Sequence, residues 1–213
     1  MLALSSSQTQ TKTQRNVFQK GFTLIEMLIT IIIIGIIAAI LYPIINNMIT
    51  SQANARKYMA LAENIVHSAS LMNQTMRAPL AVTGNPLTAS GNTLLDAIIV
   101  GDKVSGLIST TYASRYATSG VRPMSDAVQI TTAPTAGGSG TYTINDSTVS
   151  LVAISNRQMG VQYTNVPTEL VQYIFEQREA GTFNGETART TGVVRYSAVS
   201  GGNHATMTLV YDL

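Results

Sequence analysis

The chain has no cysteine, only two histidines among its 213 residues, and charge on only 11% of positions. Without thiols it forms no disulfide and no thiolate metal site. His67 and His204 lie far apart in sequence, so no histidine-rich metal site is expected; His67 reads as a helix-surface or packed side chain. The formal charge of +2 sits in the first residues: 1–21 carry Lys12, Arg15 and Lys20 and no acid. The remaining ten basic residues face eleven acidic ones. A body this close to neutral gives no electrostatic case for nucleic acid or acidic substrates. Arg115 and Arg122 beside Tyr112 and Tyr116 are the one set with DNA-gripping chemistry, and an exposed polar loop accounts for them more simply. A phosphate-cradling glycine loop, a nucleophile elbow and a zinc-type His-Glu pair are also missing. No enzyme, cofactor or metal is expected. Asn145-Asp146 suits an Asx turn better than a calcium loop. Asn73-Gln74-Thr75 and Asn145-Asp146-Ser147 match the glycosylation acceptor pattern, which means little without the machinery that reads it.

The most telling absence is local. Between Glu26 and Arg56 no residue is charged, and Ile31 to Ile34 is an unbroken isoleucine block. About 20 apolar residues span a bilayer core as a helix, so Met27 to Ile45 is long enough. Glu26 at its leading edge is the anomaly. An acid at the bilayer centre costs roughly 2.5–3.5 kcal/mol on insertion scales, so one held in such a segment usually has a partner. Ahead of the run, Met1 to Lys20 is rich in Ser, Thr and Gln and lacks apolar periodicity. Its basic residues place it on the cytoplasmic side. Three readings are open for tail plus run: an uncleaved anchor, a secretory signal, or a leader cut before the apolar run. The run is too long for an ordinary signal, and no small-x-small cleavage site follows it.

Lys20-Gly21-Phe22-Thr23-Leu24-Ile25-Glu26 resembles the processing motif of type IV prepilins, including the pseudopilins of type II secretion. The resemblance implies cleavage after Gly21 by a prepilin peptidase, methylation of the new amine on Phe22, and a cleaved leader at 1–21. It is dense over the motif and the start of the apolar run, and beyond about residue 60 it concerns only general organisation. Two features depart from the usual pattern. The leader is long, as in one class of these proteins, whereas phenylalanine at the new terminus is typical of the other. Many pilins also close their C-terminal region with a disulfide, which this chain cannot do.

Cleavage there puts a cationic amine one helical turn from Glu26. Within one chain the helix dipole favours an acid in the first turn by about 0.3–1 kcal/mol, and this is the simpler account of Glu26. The resemblance implies a second one, in which Glu26 pairs with the Phe22 amine of a neighbouring subunit. A carboxylate in a low-dielectric bundle strongly favours a charged partner over none. Gly35 and Ala39, four apart, form a small-xxx-small pattern that permits close helix approach. Pro43 removes one helical hydrogen bond and is expected to kink or loosen the helix. Glu26, Phe22, Gly35, Ala39 and Pro43 are therefore the candidate assembly residues.

Past Pro43 the pattern becomes one-sided: Ile45, Met48, Gln52, Ala55, Met59, Ala62, Val66, Ala69 and Met76 follow one helix face. A helix from about Thr23 to Met76 is predicted, roughly 80 Å at 1.5 Å per residue. Four regions result: leader 1–21, membrane and assembly helix 22–45, amphipathic half 46–78, and an α+β head over 79–213. In the head, 79–91 reads as loop. Thr93-Leu94-Leu95-Asp96 has capping-box spacing and opens a short helix ending near Gly101. Residues 103–118 are ambiguous, with a second short helix one option. Strands are predicted at 127–132, 141–144, 148–154 and 159–164, with turns at 134–140 and Asn145-Asp146. Thr168 is a candidate cap for a helix over 169–179 that buries Leu170, Val171, Ile174 and Phe175 and ends at Gly181. A last hairpin, 193–199 with 205–211, turns at Gly201-Gly202. The expected fold is α+β: a long N-terminal helix, membrane-spanning in its first half, packed on a C-terminal antiparallel sheet as the resemblance implies.

The functional expectation is a structural subunit, a major or minor pilin, of a type IV pilus-like filament. The implied partners are the prepilin peptidase, copies of itself and related pilins, an inner-membrane assembly platform with its ATPase, and membrane lipid before assembly. The precursor is expected in the inner membrane with its leader cytoplasmic and head periplasmic, and the product in an extracellular pilus or periplasmic pseudopilus. The alternatives are a type II secretion pseudopilin, or a membrane-anchored adhesin or binding protein that never polymerises.

Overall fold

The computed structural model of the chain describes residues 23–155, 157–199 and 203–213, with the backbone alone at 43–48. The described residues fall into two compact units that divide between Ile45 and Asn46. Helix α1 (Leu24–Met76) begins in the first and continues in the second, and it is helical through Pro43. In the first unit every described side chain of the helix is exposed, as an all-round apolar helix without a lipid or protein partner must be.

In the second unit α1 buries one stripe, and it is wider than the sequence pattern predicts. Ala55, Ala62, Val66, Ala69 and Met76 are buried as expected, while Tyr58, Leu61, Ile65 and Met72 join them and Met59 is half-buried. Ile45 and Met48 lie where side chains are not described. The stripe ends where Arg77 takes a left-handed conformation (φ 54°) ahead of Pro79. Asn73 Nδ2 donates to Ala78 O at 2.8 Å and Arg115 Nη1 to Met76 O at 3.4 Å, so side chains take up carbonyls at this helix end.

The head follows as α2 (Leu94–Ile99), a 3-10 turn at Gly101–Lys103, and α3 (Thr110–Thr118), which resolves the ambiguous stretch before 118. Strands β1 (Gln129–Thr132), β2 (Thr141–Ile144), β3 (Ser147–Ser155) and β4 (Gln158–Pro167) precede α4 (Thr168–Arg178), and β5 (Val194–Tyr196) and β6 (His204–Asp212) close the chain. Among the described residues these make one six-stranded sheet, order β1-β2-β3-β4-β6-β5, with every neighbouring pair antiparallel. The architecture is α+β and fits the pilin-like expectation. Val149, Leu151, Val161, Tyr163, Met207 and Leu209 alternate onto the inner face and share one core with the α1 stripe and with α2 and α4.

Two local expectations need correction. Strand β4 runs to Pro167, not 164, because Asn165 takes a left-handed conformation (φ 63°) at a register shift and pairing resumes at Val166. The bulge carries the strand past the expected end. Thr168 does not cap α4. The cap position is Pro167, with no side-chain bond, and Thr168 Oγ1 donates to Asn203 O at 2.8 Å. Helix α4 spans Thr168–Arg178 with its C-cap at Glu179, within one residue of the expected 169–179, and its four predicted buried residues are buried. Asn145 and Asp146, both left-handed (φ 46° and 66°), form the two-residue turn between β2 and β3. The predicted turn at Gly201-Gly202 lies outside the described residues, while β5 and β6 pair as the hairpin requires.

Candidate functional site

The predicted processing pair, Gly21 and Phe22, lies outside the described residues. Immediately after it, Thr23 and Glu26 meet across the first turn of α1. Glu26 N donates to Thr23 Oγ1 at 3.3 Å, and Thr23 N donates back to Glu26 Oε2 at 3.4 Å. This is the reciprocal contact of a capping box. It satisfies orphan helix donors, but the bonds are long and exposed and therefore weak. Within one chain, then, Glu26 is engaged by the start of its own helix. The Thr-x-x-Glu spacing of residues 23–26 carries this signal in the sequence.

From Leu24 to Tyr42 the helix is a 19-residue stretch long and apolar enough to cross a membrane by length and composition. None of it is covered within the chain: Leu24 is 84% exposed and Ile31 67%. A Cβ placed on Gly35 would meet nothing within 4 Å, so no contact inside the chain requires glycine there. Ala39, one turn on, is also exposed. At about 100° per residue, Gly35 lies half a turn round the helix from Glu26. The small pair and the acid therefore occupy opposite faces. The backbone of Pro43 is helical, and its side chain is not described. Pro43 thus lies within the helical span of α1.

The head holds two polar hubs that the sequence pattern did not reveal. Asp96, fully buried, accepts five bonds: from Thr93 N (2.7 Å), Thr93 Oγ1 (2.9 Å), Ser139 Oγ (2.8 Å), Gly140 N (2.9 Å) and Tyr142 OH (2.6 Å). Burial pushes its carboxyl up, but the Tyr142 hydroxyl, the Thr93 and Gly140 N–H groups and Ser139 outweigh this and hold it below the usual value. Beside it Asn92 Nδ2 donates to Thr135 O and Gly138 O, each at 2.9 Å. The loop before β2 is thereby fastened onto the start of α2. Glu179 is the second hub. Its Oε1 accepts from Val193 N and, at 3.0 Å, from Val194 N, and its Oε2 accepts from Arg189 Nη2 at 2.9 Å. The Val194 N–H, with Val193 and Arg189 behind it, holds the Glu179 carboxyl low despite some desolvation. This closes loop 180–193 without a covalent bond. Neither hub lies in a setting that suggests catalysis, since both carboxylates are consumed by donors of the fold.

Tyr58 ties the helix to the sheet: its hydroxyl donates to Ser147 Oγ at 2.7 Å and lies 3.0 Å from Ile144 O. Its ring packs on that of Tyr163 with centroids 4.8 Å apart, and Tyr163 OH donates to Tyr58 O at 2.8 Å. Of the tyrosines set beside arginines in sequence, Tyr116 is buried and donates to Ala97 O at 3.0 Å. Arg115 reaches Met76 O at the end of α1, and Arg122 is exposed. His67 is exposed on the helix surface.

Residues 18–42 match the family model described as the prokaryotic N-terminal methylation motif, which is the type IV pilin and pseudopilin prepilin signal. The match takes in Gly21, Phe22, Glu26, Gly35 and Ala39 and ends just before Pro43. No curated protein and no solved structure matches the chain.

Proposed function

We propose, from the premise that the chain carries a prepilin signal, that it is a structural subunit of a type IV pilus-like filament. The peptidase cuts after Gly21, Phe22 becomes the methylated terminus, and α1 then assembles with neighbouring copies. The supporting observation is the combination of that signal with a helical stretch, Leu24–Tyr42, whose apolar side chains have no partner in the subunit. Lipid covers them in the precursor, and other helices cover them in the filament. Glu26 leaves its long, exposed capping contacts for the Phe22 amine of a neighbour, because an ion pair in a dry bundle outweighs a weak exposed cap. Gly35 and Ala39, on the opposite face, let a second helix approach closely. Pro43 marks where the packed segment can yield. The regions before and after residue 45 divide this labour, with the first assembling and the second forming the outer coat.

Mass spectrometry of the N-terminus in a sheared surface fraction tests the reading. Methylated Phe22 is the expected terminus. A chain that still begins with the Ser/Gln-rich tail, and never appears in fibres, overturns it. The same signal serves pseudopilins, and a deletion strain separates the two roles: loss of surface fibres marks a pilin, and failed enzyme secretion with fibres intact marks a pseudopilin.

A further inference from the structure

The outer face of the sheet carries a row of polar side chains set by strand register. Ser150 on β3 faces Gln162 on β4, Gln162 faces Thr208 on β6, and Thr208 faces Arg195 on β5. Ser150 Oγ donates to Gln162 Oε1 and Gln162 Nε2 to Thr208 Oγ1, both at 3.4 Å. The row runs into a shallow, open depression of about 340 Å³ that Arg189, Thr190 and Thr206 also line.

The charge in this depression is one-sided. Two arginines line it and no acid does. Arg189 is neutralised by Glu179 and anchored through Nε to Thr191 O at 3.0 Å. Arg195 is held only by Nε to Gly192 O at 3.2 Å and makes no ion pair among the described residues. Its terminal N–H groups form the fork that takes a carboxylate bidentately. Around it the Thr190 and Thr206 hydroxyls have no side-chain partner among the described residues, and the Gln162 amide adds a donor and an acceptor. A guanidinium beside a hydroxyl-and-amide floor, carried on paired strands, matches a ligand with one carboxylate and several hydroxyls.

We propose that this depression binds an acidic sugar, with Arg195 taking the carboxylate and Thr190, Thr206 and Gln162 the hydroxyls. The proposal goes beyond filament assembly, since the site lies within residues 46–213 and needs no neighbour. Titration calorimetry on the processed chain in mild detergent tests it, with D-glucuronate, D-glucose and inorganic phosphate as probes. Saturable binding of glucuronate and none of glucose is expected, with affinity falling as salt rises. Arg195→Gln weakens glucuronate binding about 10- to 100-fold, the scale of a charged hydrogen-bond pair. Arg195→Lys keeps the charge, loses the fork, and falls between. Thr206→Val weakens binding roughly fivefold without changing its salt dependence. Near-UV circular dichroism checks that Arg195→Gln is folded; if it is not, Arg195→Lys and Thr206→Val carry the test. The proposal is overturned if glucuronate does not bind, or binds the folded variants as tightly as the parent. Phosphate binding as tightly as glucuronate overturns the sugar assignment. None of these failures touches the filament reading, because binding is measured on unassembled chain.

Discussion

Replacing Asp96 by asparagine keeps the shape of the buried hub and removes its charge. Its Oδ1 accepts from Gly140 N and Tyr142 OH, and its Oδ2 from Thr93 N, Thr93 Oγ1 and Ser139 Oγ. Whichever oxygen becomes an amide nitrogen, a backbone N–H, that of Gly140 or of Thr93, then faces another donor at under about 3 Å. Hydroxyls can rotate away, but a backbone N–H cannot. Hydrogen bonds to a charged group are worth about 1.5–3 kcal/mol each, and a buried donor left unpaired costs about 1–3 kcal/mol. Against this stands relief of the desolvation cost of a buried carboxylate, which amounts to several kcal/mol before its donors are counted. The net expectation is a loss of about 2–4 kcal/mol.

Urea unfolding of the processed chain in mild detergent, followed by tyrosine signals, measures this loss. With slopes of about 1–3 kcal/mol per molar, the midpoint drops by roughly 1–2 M. The pH dependence makes the reasoning stricter. Because the folded carboxyl is held below its unfolded value of about 3.9, its contribution is complete above that pH. It is lost as pH falls through the still lower folded value. The difference between parent and Asp96→Asn should therefore be flat near neutrality and close on acidification below about pH 4. A neutral-pH difference under about 0.5 kcal/mol, or one that widens in acid, refutes the account.

Tyr58→Phe removes the hydroxyl between Ser147 and Ile144 and should cost about 1–2 kcal/mol by the same unfolding assay, with the ring packing on Tyr163 retained. Glu179→Gln should loosen loop 180–193, speeding amide exchange at Val193 and Val194 while exchange in β3 and β4 stays slow. Because the Glu179 carboxyl is held low, the parent should show the same loosening only as pH falls below about 4. Glu26→Ala should abolish or sharply reduce sheared fibres while cleavage after Gly21 and the unfolding midpoint of the head stay unchanged; normal fibres would remove the case for an intermolecular role. Gly35→Leu should also reduce fibres without altering the subunit, since a side chain there meets nothing within 4 Å in the isolated chain.

The sequence by itself determined the elements whose causes are local. An uncharged run after Glu26 makes a helix exposed on all sides, Thr93-x-x-Asp96 makes a capped one, and Asn145-Asp146 makes a tight turn; each follows from neighbours within a few residues. Periodicity likewise marked the buried side of α4 and much of the α1 stripe. Tertiary structure alone decided what depends on residues far apart in the chain. Asp96 became a hub because the loop at 139–142 folded back onto it, and Glu179 left its helix because Val193, Val194 and Arg189 came within reach. Tyr58 joined the core because Ser147 and Tyr163 lay opposite it. Arg195 stands beside Thr208 and Gln162 only through the pairing of β4, β6 and β5. A hydrogen bond or an ion pair is set by distance in space, and no pattern of spacing along the chain encodes that distance once the partners are many residues apart.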